Sequence, residues 1–158
     1  KQIALEECPR VHFVEHELFT IEVVNIFSSA WTPYFHDWDY NAMRTLEDAQ
    51  HYQKPYIADK WKDIPQDTEI LATHGPVHNI LDEVYHTDGV TIKERVGCWS
   101  LGQRIEQLPL CKVHICGHIH GARGYKYFNN RHYYNVSNCG ETYQIDYPVT
   151  EIEYEKDK

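Results

Sequence analysis

Apolar and polar residues are arranged along the chain in short segments, several of which have the two-residue period of a strand. Residues 11–14 are rich in β-formers, and apolar and polar residues alternate from residue 19 to residue 23, so two strands are predicted, the second continuing through residue 27. Further strands are predicted at residues 68–73, 112–116, 125–128, 132–136 and 149–154. Two asparagines within residues 129–131 favour a turn between neighbouring strands.

Other segments have the period of a helix or no sustained period. Helices are predicted at residues 42–52 and 56–62, and a third runs from about residue 97 to residue 106. We expect Cys98, Leu101 and Ile105 of this third helix to face the sheet that carries residues 112–116. Residues 28–40 are predicted to form a long aromatic-rich loop, and the segment that ends at Arg95 is polar. Strands and helices interleave, so the predicted class is α/β or layered α+β.

Composition narrows the class of protein. The 158 residues, 42% of them hydrophobic and 13% aromatic, suit one core, and therefore one domain or a piece of one. A formal charge of −9 argues against a surface that grips a nucleic-acid backbone or an anionic membrane. No apolar run approaches the ~20 residues that span a bilayer, and no signal-peptide pattern opens the chain, which predicts a soluble protein. The chain begins at Lys1, which suggests that further residues precede it.

The five cysteines give an expectation about the compartment. Their number is odd, and they show neither CxxC pairs nor the spacing of a secreted disulfide framework. Free, mostly buried thiols in a reducing compartment are expected, and we therefore predict a cytoplasmic location.

Among the 11 histidines, His74, His118 and His120 come within four residues of the end of a predicted strand. His74 comes after the strand at 68–73, within a Thr-His-Gly-Pro segment, and His118 and His120 come after the strand at 112–116, between two glycines. In an extended segment, residues two apart point to the same side, where their imidazoles can serve neighbouring metal ions. His-x-His alone also arises by chance in a histidine-rich chain. The third histidine at an equivalent strand end is what favours a metal site.

These motifs resemble the calcineurin-like metallophosphoesterases, and among them the metallophosphoesterase-domain (MPPED-type) branch. The matching segments cover nearly the whole chain and stand in the family's order; they lie at residues 31–38, 64–65, 73–76, 95–98, 114–120 and 135–137. The resemblance implies that residues 1–158 are the C-terminal part of a β-sandwich flanked by helices. It also implies hydrolysis of phosphate mono- or diesters by a hydroxide that two metal ions activate.

By the same resemblance, His118 and His74 hold one metal ion and His120 holds its neighbour. Nitrogen donors favour manganese, iron or zinc over magnesium or calcium, so two divalent transition metals are the implied cofactors. His78 and Arg123 are candidate substrate-binding residues, although ordinary surface positions suit both. Asp37 and Asp39 look like a metal-site pair in isolation, but the resemblance places them in an outer loop.

Half of the family's ligand motifs have no counterpart in this chain. Asp-x-His, the bridging Gly-Asp and Gly-Asn-His, which come earlier in the family's order, are absent. Residues 1–158 are therefore expected to be a partial domain that carries no complete catalytic set and needs a missing N-terminal segment or a protein partner to cover its open sheet. The alternative is a non-catalytic structural subunit that keeps this fold within a larger assembly.

Overall fold

The centre of the fold is a six-stranded sheet. The structure is a computed structural model that describes residues 13–36, 38–87, 89–140 and 142–156. Its strands are β1 (His16–Ile21), β2 (Val24–Ser29), β3 (Thr32–Pro33), β4 (Asn41–Ala42), β5 (Ile70–Thr73), β6 (Glu83–Tyr85), β7 (Ile92–Arg95), β8 (Val113–Cys116), β9 (Gly124–Phe128) and β10 (Arg131–Asn135). The strand order in the large sheet is β1-β2-β5-β8-β10-β9, while β3–β4 and β6–β7 form two small sheets.

The four inner strands of the large sheet run in the same direction. Strand β5 pairs in parallel with both β2 and β8, and β10 pairs in parallel with β8. The outer strands β1 and β9 are antiparallel to their neighbours. The carboxyl ends of β2, β5, β8 and β10 therefore meet at one edge of the sheet, where an open α/β sheet normally binds its ligands.

The described residues form three α-helices, and the second and third of them cover one face of this sheet. The three helices are α1 (Leu46–Tyr52), α2 (Ile57–Lys62) and α3 (Trp99–Glu106). Phe27 and Leu71 lie side by side on neighbouring strands and belong to one buried cluster with Trp61, Leu101 and Ile105, each at most 2% exposed. The prediction that Cys98, Leu101 and Ile105 face the sheet is confirmed, since all three belong to this cluster. The opposite face, which carries Ile26, Ile70 and Ile115 among others, is only half-buried.

The predicted strand from residue 19 to residue 27 is wrong, because a hairpin interrupts it. Glu22 adopts a left-handed backbone with φ 55°, and Ile21 pairs with Val24 across the turn. Ile21 and Val23 are 56% and 66% exposed, so the alternation there does not mark a core face. Of the strand predicted at 11–14, residues 11 and 12 lie outside the described residues, and Phe13 and Val14 are not in a strand.

Tertiary pairing corrects several other boundaries. The helix predicted at 42–52 begins only at Leu46, because Ala42 pairs with Pro33 in a parallel two-stranded ladder. The same pairing gives residues 28–40, predicted as loop, some strand structure. Residues 83–95, predicted only as a polar segment, contain the β6–β7 hairpin.

The C-terminal segment is not a strand, contrary to the prediction for residues 149–154. Side chains anchor it instead: Arg123 donates to Thr150 Oγ1 at 2.7 Å, and Lys156 Nζ donates to Glu69 Oε2 at 2.9 Å. The predicted turn at 129–131 is confirmed, since Asn129 and Asn130 have φ of 48° and 58°, as a two-residue turn of type I′ requires. Within the described residues, no helix is long and apolar enough to cross a membrane.

Candidate functional site

A cavity of about 590 Å³ opens at the carboxyl edge of the parallel strands. The segments that follow β2, β5 and β8 supply most of its wall, and the β6–β7 hairpin borders it. Its lining residues are Thr32, Pro33, Phe35, His36, Trp38, Arg44, His74, Gly75, Pro76, Glu83, Val84, Lys93, Glu94, Val96, His118, Ile119, His120 and Tyr143. All three histidines singled out by the sequence pattern line this one cavity.

His74 and His118 are in direct contact. The distance from His74 Nε2 to His118 Nδ1 is 3.1 Å, and the ring centroids are 4.6 Å apart. Two nitrogens that each lie about 2.1 Å from one metal ion, at angles between octahedral and tetrahedral, are about 3.0–3.4 Å apart. The observed separation therefore fits two ligands of a single ion.

The backbone at His118 is strained in a way that serves this contact. His118 has φ 69°, and Ile119 N–H donates to the Gly117 carbonyl at 2.8 Å, so the chain makes a tight γ-turn centred on the histidine. Gly117 N–H also donates to the His74 carbonyl at 3.0 Å. Strained backbone of this kind clusters at functional sites, where the surrounding structure holds it in place. Here the turn directs the His118 ring toward His74.

His120 is oriented by a separate contact. Its Nδ1 lies 2.9 Å from the Gly140 carbonyl, and because a carbonyl oxygen only accepts, Nδ1 is the protonated donor. Nε2 is then the nitrogen with a free lone pair, as for a metal-binding histidine whose other nitrogen is anchored. The ring also packs edge-on against Tyr143, with centroids 4.9 Å apart.

The electrostatics of the cavity keep two of the three imidazoles neutral. Burial and, to a smaller extent, the nearby His74 and His120 together lower the pKa of His118 to about 4. Burial also lowers the pKa of His74. Neutral imidazoles are the form that binds a metal ion.

The donor set is nevertheless incomplete within residues 13–36, 38–87, 89–140 and 142–156. No group of three or more His, Cys, Asp or Glu side chains in these ranges is arranged to hold a metal ion. The His74–His118 pair offers two donors to one position and His120 offers one beside it. The residues present fit part of a metal centre, and the remaining ligands would have to come from elsewhere.

Comparison with known proteins supports the resemblance found in the motifs. The chain is 30% identical over 132 residues to metallophosphoesterase domain-containing protein 1 of Homo sapiens, a match that covers 84% of this chain and 36% of that protein. It is 28% identical over 137 residues to a UPF0046 protein of Caenorhabditis elegans, covering 85% of this chain and 40% of that protein. Over most of its length the chain is therefore similar to proteins that are named for a metallophosphoesterase domain.

This similarity covers only part of these relatives, since the chain spans little more than a third of their length. No family model matches the chain. One solved structure has the same fold over 86% of this chain and 49% of its own, with a TM-score of 0.54 at 14% identity. The mixed α/β class is thereby supported, while the second sheet of a sandwich is not among the described residues.

The two candidate substrate-binding residues lie outside this cavity. His78 lies in a neighbouring depression with Trp99, and its Nδ1 is 3.4 Å from the buried Asp82 carboxylate. Arg123 donates to the Ser137 and Pro148 carbonyls and stacks over Tyr147, so its guanidinium anchors the C-terminal segment. Substrate contact by these two residues remains a prediction.

The cavity also contains basic side chains and aromatic rings that were not predicted from the sequence to belong to the site. Arg44 and Lys93 are its two basic side chains, and Arg44 is anchored by donating to the Val96 and Gly97 carbonyls. Phe35 stands edge-on to His118 with centroids 5.8 Å apart, and to Trp38 at 5.7 Å. Phe35 and Trp38 could be found from the aromatic-rich loop. Nothing in the local pattern marks Arg44 or Lys93. Asp39 lines a shallower depression beside His74, whereas Asp37 lies outside the described residues.

Proposed function

We propose that the protein containing this chain is a metal-dependent phosphoesterase that hydrolyses phosphate mono- or diesters, and that the part of the protein outside this chain completes its ligand set. The observation that carries the proposal is the 3.1 Å approach of His74 Nε2 to His118 Nδ1 beside His120, at the carboxyl edge of the parallel strands. The metallophosphoesterase homologues agree with it.

The histidines of this chain would divide between two ion positions. His74 and His118 hold one ion through the two nitrogens that face each other, and His120 holds its neighbour through Nε2, because Gly140 engages Nδ1. Two such ions, when bound, neutralise phosphate oxygens and make hydroxide available near neutral pH. Imidazole nitrogen favours manganese, iron or zinc.

The substrate would enter through the cavity. Arg44 and Lys93 supply positive charge there, which an acidic protein needs in order to attract a phosphate ester. Phe35, Trp38 and Tyr143 offer an apolar wall for the group esterified to the phosphate. Glu83 and Glu94 line the cavity on the β6–β7 hairpin, where they would repel a further negatively charged group of the substrate.

Among the described residues, one face of the large sheet is only half-buried, and this supports a larger fold. Ile26, Ile70, Ala72, Ile115 and Tyr134 lie on the face opposite the helices, and each is only half-buried. Apolar residues of this kind normally pack on another layer. A second sheet, from the segment that precedes this chain or from a partner protein, would cover them and bring the absent carboxylate ligands to the histidines.

The proposal is tested on the full protein that carries this chain, by metal analysis and by hydrolysis of p-nitrophenyl phosphate and bis(p-nitrophenyl) phosphate. We expect two transition-metal ions per chain and hydrolysis of at least one probe. His74→Ala and His118→Ala should empty the same position, and His120→Ala should first weaken the other. His132→Ala is the matched control, because His132 lies away from the cavity and contacts Tyr125 instead. Two bound ions in a His118→Ala, His120→Ala double variant would contradict the assignment.

The second candidate is a non-catalytic subunit that keeps this fold within an assembly. The absence of a complete donor group from the described residues favours it. This candidate predicts that the purified full protein binds no metal and hydrolyses neither probe, yet forms a stable complex through the open sheet face. A monodisperse, cooperatively unfolding monomer would count against it.

The compartment stays a prediction under either candidate. Cys98, Cys111, Cys116 and Cys139 are free, and the first three are buried, as expected for thiols in a reducing environment such as the cytoplasm. Cys8 lies outside the described residues.

A further inference from the structure

A fourth histidine lies directly beneath the candidate site. His114 is on β8, only 1% exposed, and its ring packs in the row that contains Leu71 and Tyr133. A polar ring among core side chains is costly unless a hydrogen bond compensates it. His114 Nε2 lies 2.8 Å from Thr73 Oγ1, and Thr73 is the last residue of β5, immediately before His74.

The direction of this hydrogen bond follows from the next one. Thr73 Oγ1 donates to the Gly75 carbonyl at 2.7 Å, and a carbonyl has no proton to give. The single hydroxyl proton of Thr73 is therefore committed to Gly75, so the oxygen of Thr73 accepts from His114 Nε2–H. Burial lowers the pKa of His114 to about 3, which keeps the ring a neutral donor.

The two hydrogen bonds hold the backbone on either side of His74. Thr73 and Gly75 are its neighbours on either side, and the bond between them fixes the backbone turn at the strand end. The backbone of His74 is held as well, since its N–H donates to the Ser29 carbonyl at 3.1 Å and its carbonyl accepts from Gly117 N–H at 3.0 Å. There is little room for adjustment, because a Cβ on Gly75 would lie 3.3 Å from Thr32 Oγ1 and 3.6 Å from His118 Cδ2.

We propose that His114 is a positioning residue which, through Thr73 and the Gly75 carbonyl, sets the direction in which His74 presents Nε2 to His118. The inference rests on the proposed function, because His74 is a metal ligand only if that function holds. It assigns to a buried core histidine a part in the geometry of the metal site.

Paired substitutions in the full protein separate positioning from simple packing. Thr73→Val keeps the shape of the side chain and removes the hydroxyl, while Thr73→Ser retains it. His114→Leu removes the donor, while His114→Gln keeps an N–H near the position of Nε2. Replacing a residue that orients a metal ligand typically lowers metal affinity by about 10–100-fold. We expect losses of that size, measured by chelator competition with Mn²⁺ or Zn²⁺, for Thr73→Val and His114→Leu, and near wild-type affinity for Thr73→Ser and His114→Gln.

The matched control is Leu101→Ala, a core truncation in α3 that should lower the Tm without changing metal affinity. If Thr73→Val binds metal as the wild type does, or if Leu101→Ala loses affinity equally, the positioning role is overturned. If His114→Leu does not fold, Thr73→Val alone still decides.

A metal-independent measurement distinguishes failure of this inference from failure of the proposed function. Wild-type protein that binds no metal refutes the metal centre itself. The hydrogen-bond relay is then judged by long-range ¹H–¹⁵N NMR, in which His114 should be the Nε2–H tautomer at pH 6–8. Thr73→Val should shift the His74 ring resonances, and Leu101→Ala should leave them in place. An Nδ1–H tautomer at His114, or unshifted His74 resonances in Thr73→Val, would overturn the relay.

Discussion

The buried His114 should make the stability of the fold depend on pH, and replacing it with glutamine should remove the part of that dependence which His114 contributes. Burial lowers the pKa of His114 to about 3 in the folded protein, whereas an exposed histidine in the unfolded chain has a pKa of ~6.5. Between these two values the unfolded state binds a proton that the folded state does not bind. The free energy of unfolding therefore falls as the pH falls below about 6.5.

The magnitude follows from the two pKa values. Each pH unit below ~6.5 lowers the free energy of unfolding by up to ~1.4 kcal/mol, and the total loss between pH 7 and pH 5 is about 2 kcal/mol. A domain of this size is stable by roughly 5–15 kcal/mol, so the loss is measurable. His114→Gln does not titrate and keeps an N–H donor for Thr73. The cost of its altered packing shifts the stability at every pH equally and leaves the slope to report on the histidine.

The assay is urea unfolding followed by tryptophan fluorescence at pH 7, 6 and 5, on metal-free wild-type protein and the His114→Gln variant. His74, His118 and the other titrating groups are present in both proteins, so their contributions cancel in the difference. We expect the wild type to lose about 2 kcal/mol more than the variant from pH 7 to pH 5. Parallel pH profiles would refute the reasoning, because they would mean that His114 is protonated as easily in the folded state as in the unfolded state.

Three further predictions concern the core, a glycine and the metal site. Leu101→Ala should lower stability by ~2–5 kcal/mol, since Leu101 is 1% exposed, and an unchanged Tm would show that the packing of α3 is wrong. Gly97→Ala should lower the free energy of unfolding in urea by ~1–3 kcal/mol, because the new Cβ would lie 2.3 Å from the Val77 carbonyl oxygen. Gly102→Ala in α3 should raise it by ~0.5–1 kcal/mol, because the nearest atom to its Cβ would be 4.0 Å away. Equal effects of the two substitutions would contradict this difference. Protonation of His118 should change the metal affinity of its position little between pH 7 and about 5, because burial lowers the pKa of His118 to about 4. Isothermal titration calorimetry measures this affinity. Proton competition that begins at ~6.5 would be inconsistent with a buried ligand.

Prediction from sequence succeeded where a residue's role depends on its immediate neighbours. Residues 70–73 and 113–116 form strands, and a histidine follows each of the two segments closely, because short apolar runs and the glycines after them report local backbone preference. Helix α3 and the asparagine turn at 129–130 were found for the same reason.

Prediction failed where the pairing of strands, rather than a local hydrophobic period, decided the outcome. The turn at Glu22 interrupts an alternation that looks continuous, because exposed Ile21 and Val23 imitate a core pattern. Ala42 was predicted to lie in a helix, but it pairs with Pro33 in a two-stranded ladder. The hairpin at 83–95 is made mostly of exposed residues, so its sequence lacks the alternation of apolar and polar residues that would predict strands.

The sequence by itself determined the class of fold, the family resemblance and the three histidines at strand ends, since each of these depends on short motifs and local periods. Only the tertiary structure decided that β5 and β8 are parallel neighbours, which is why His74 reaches His118 across 44 positions of sequence at 3.1 Å. It alone placed Arg44 and Lys93 in the cavity and His114 beneath Thr73. The physical reason is that a sheet's strand order and register arise from hydrogen bonds and packing between segments far apart in the chain, and no local pattern records which segments will meet.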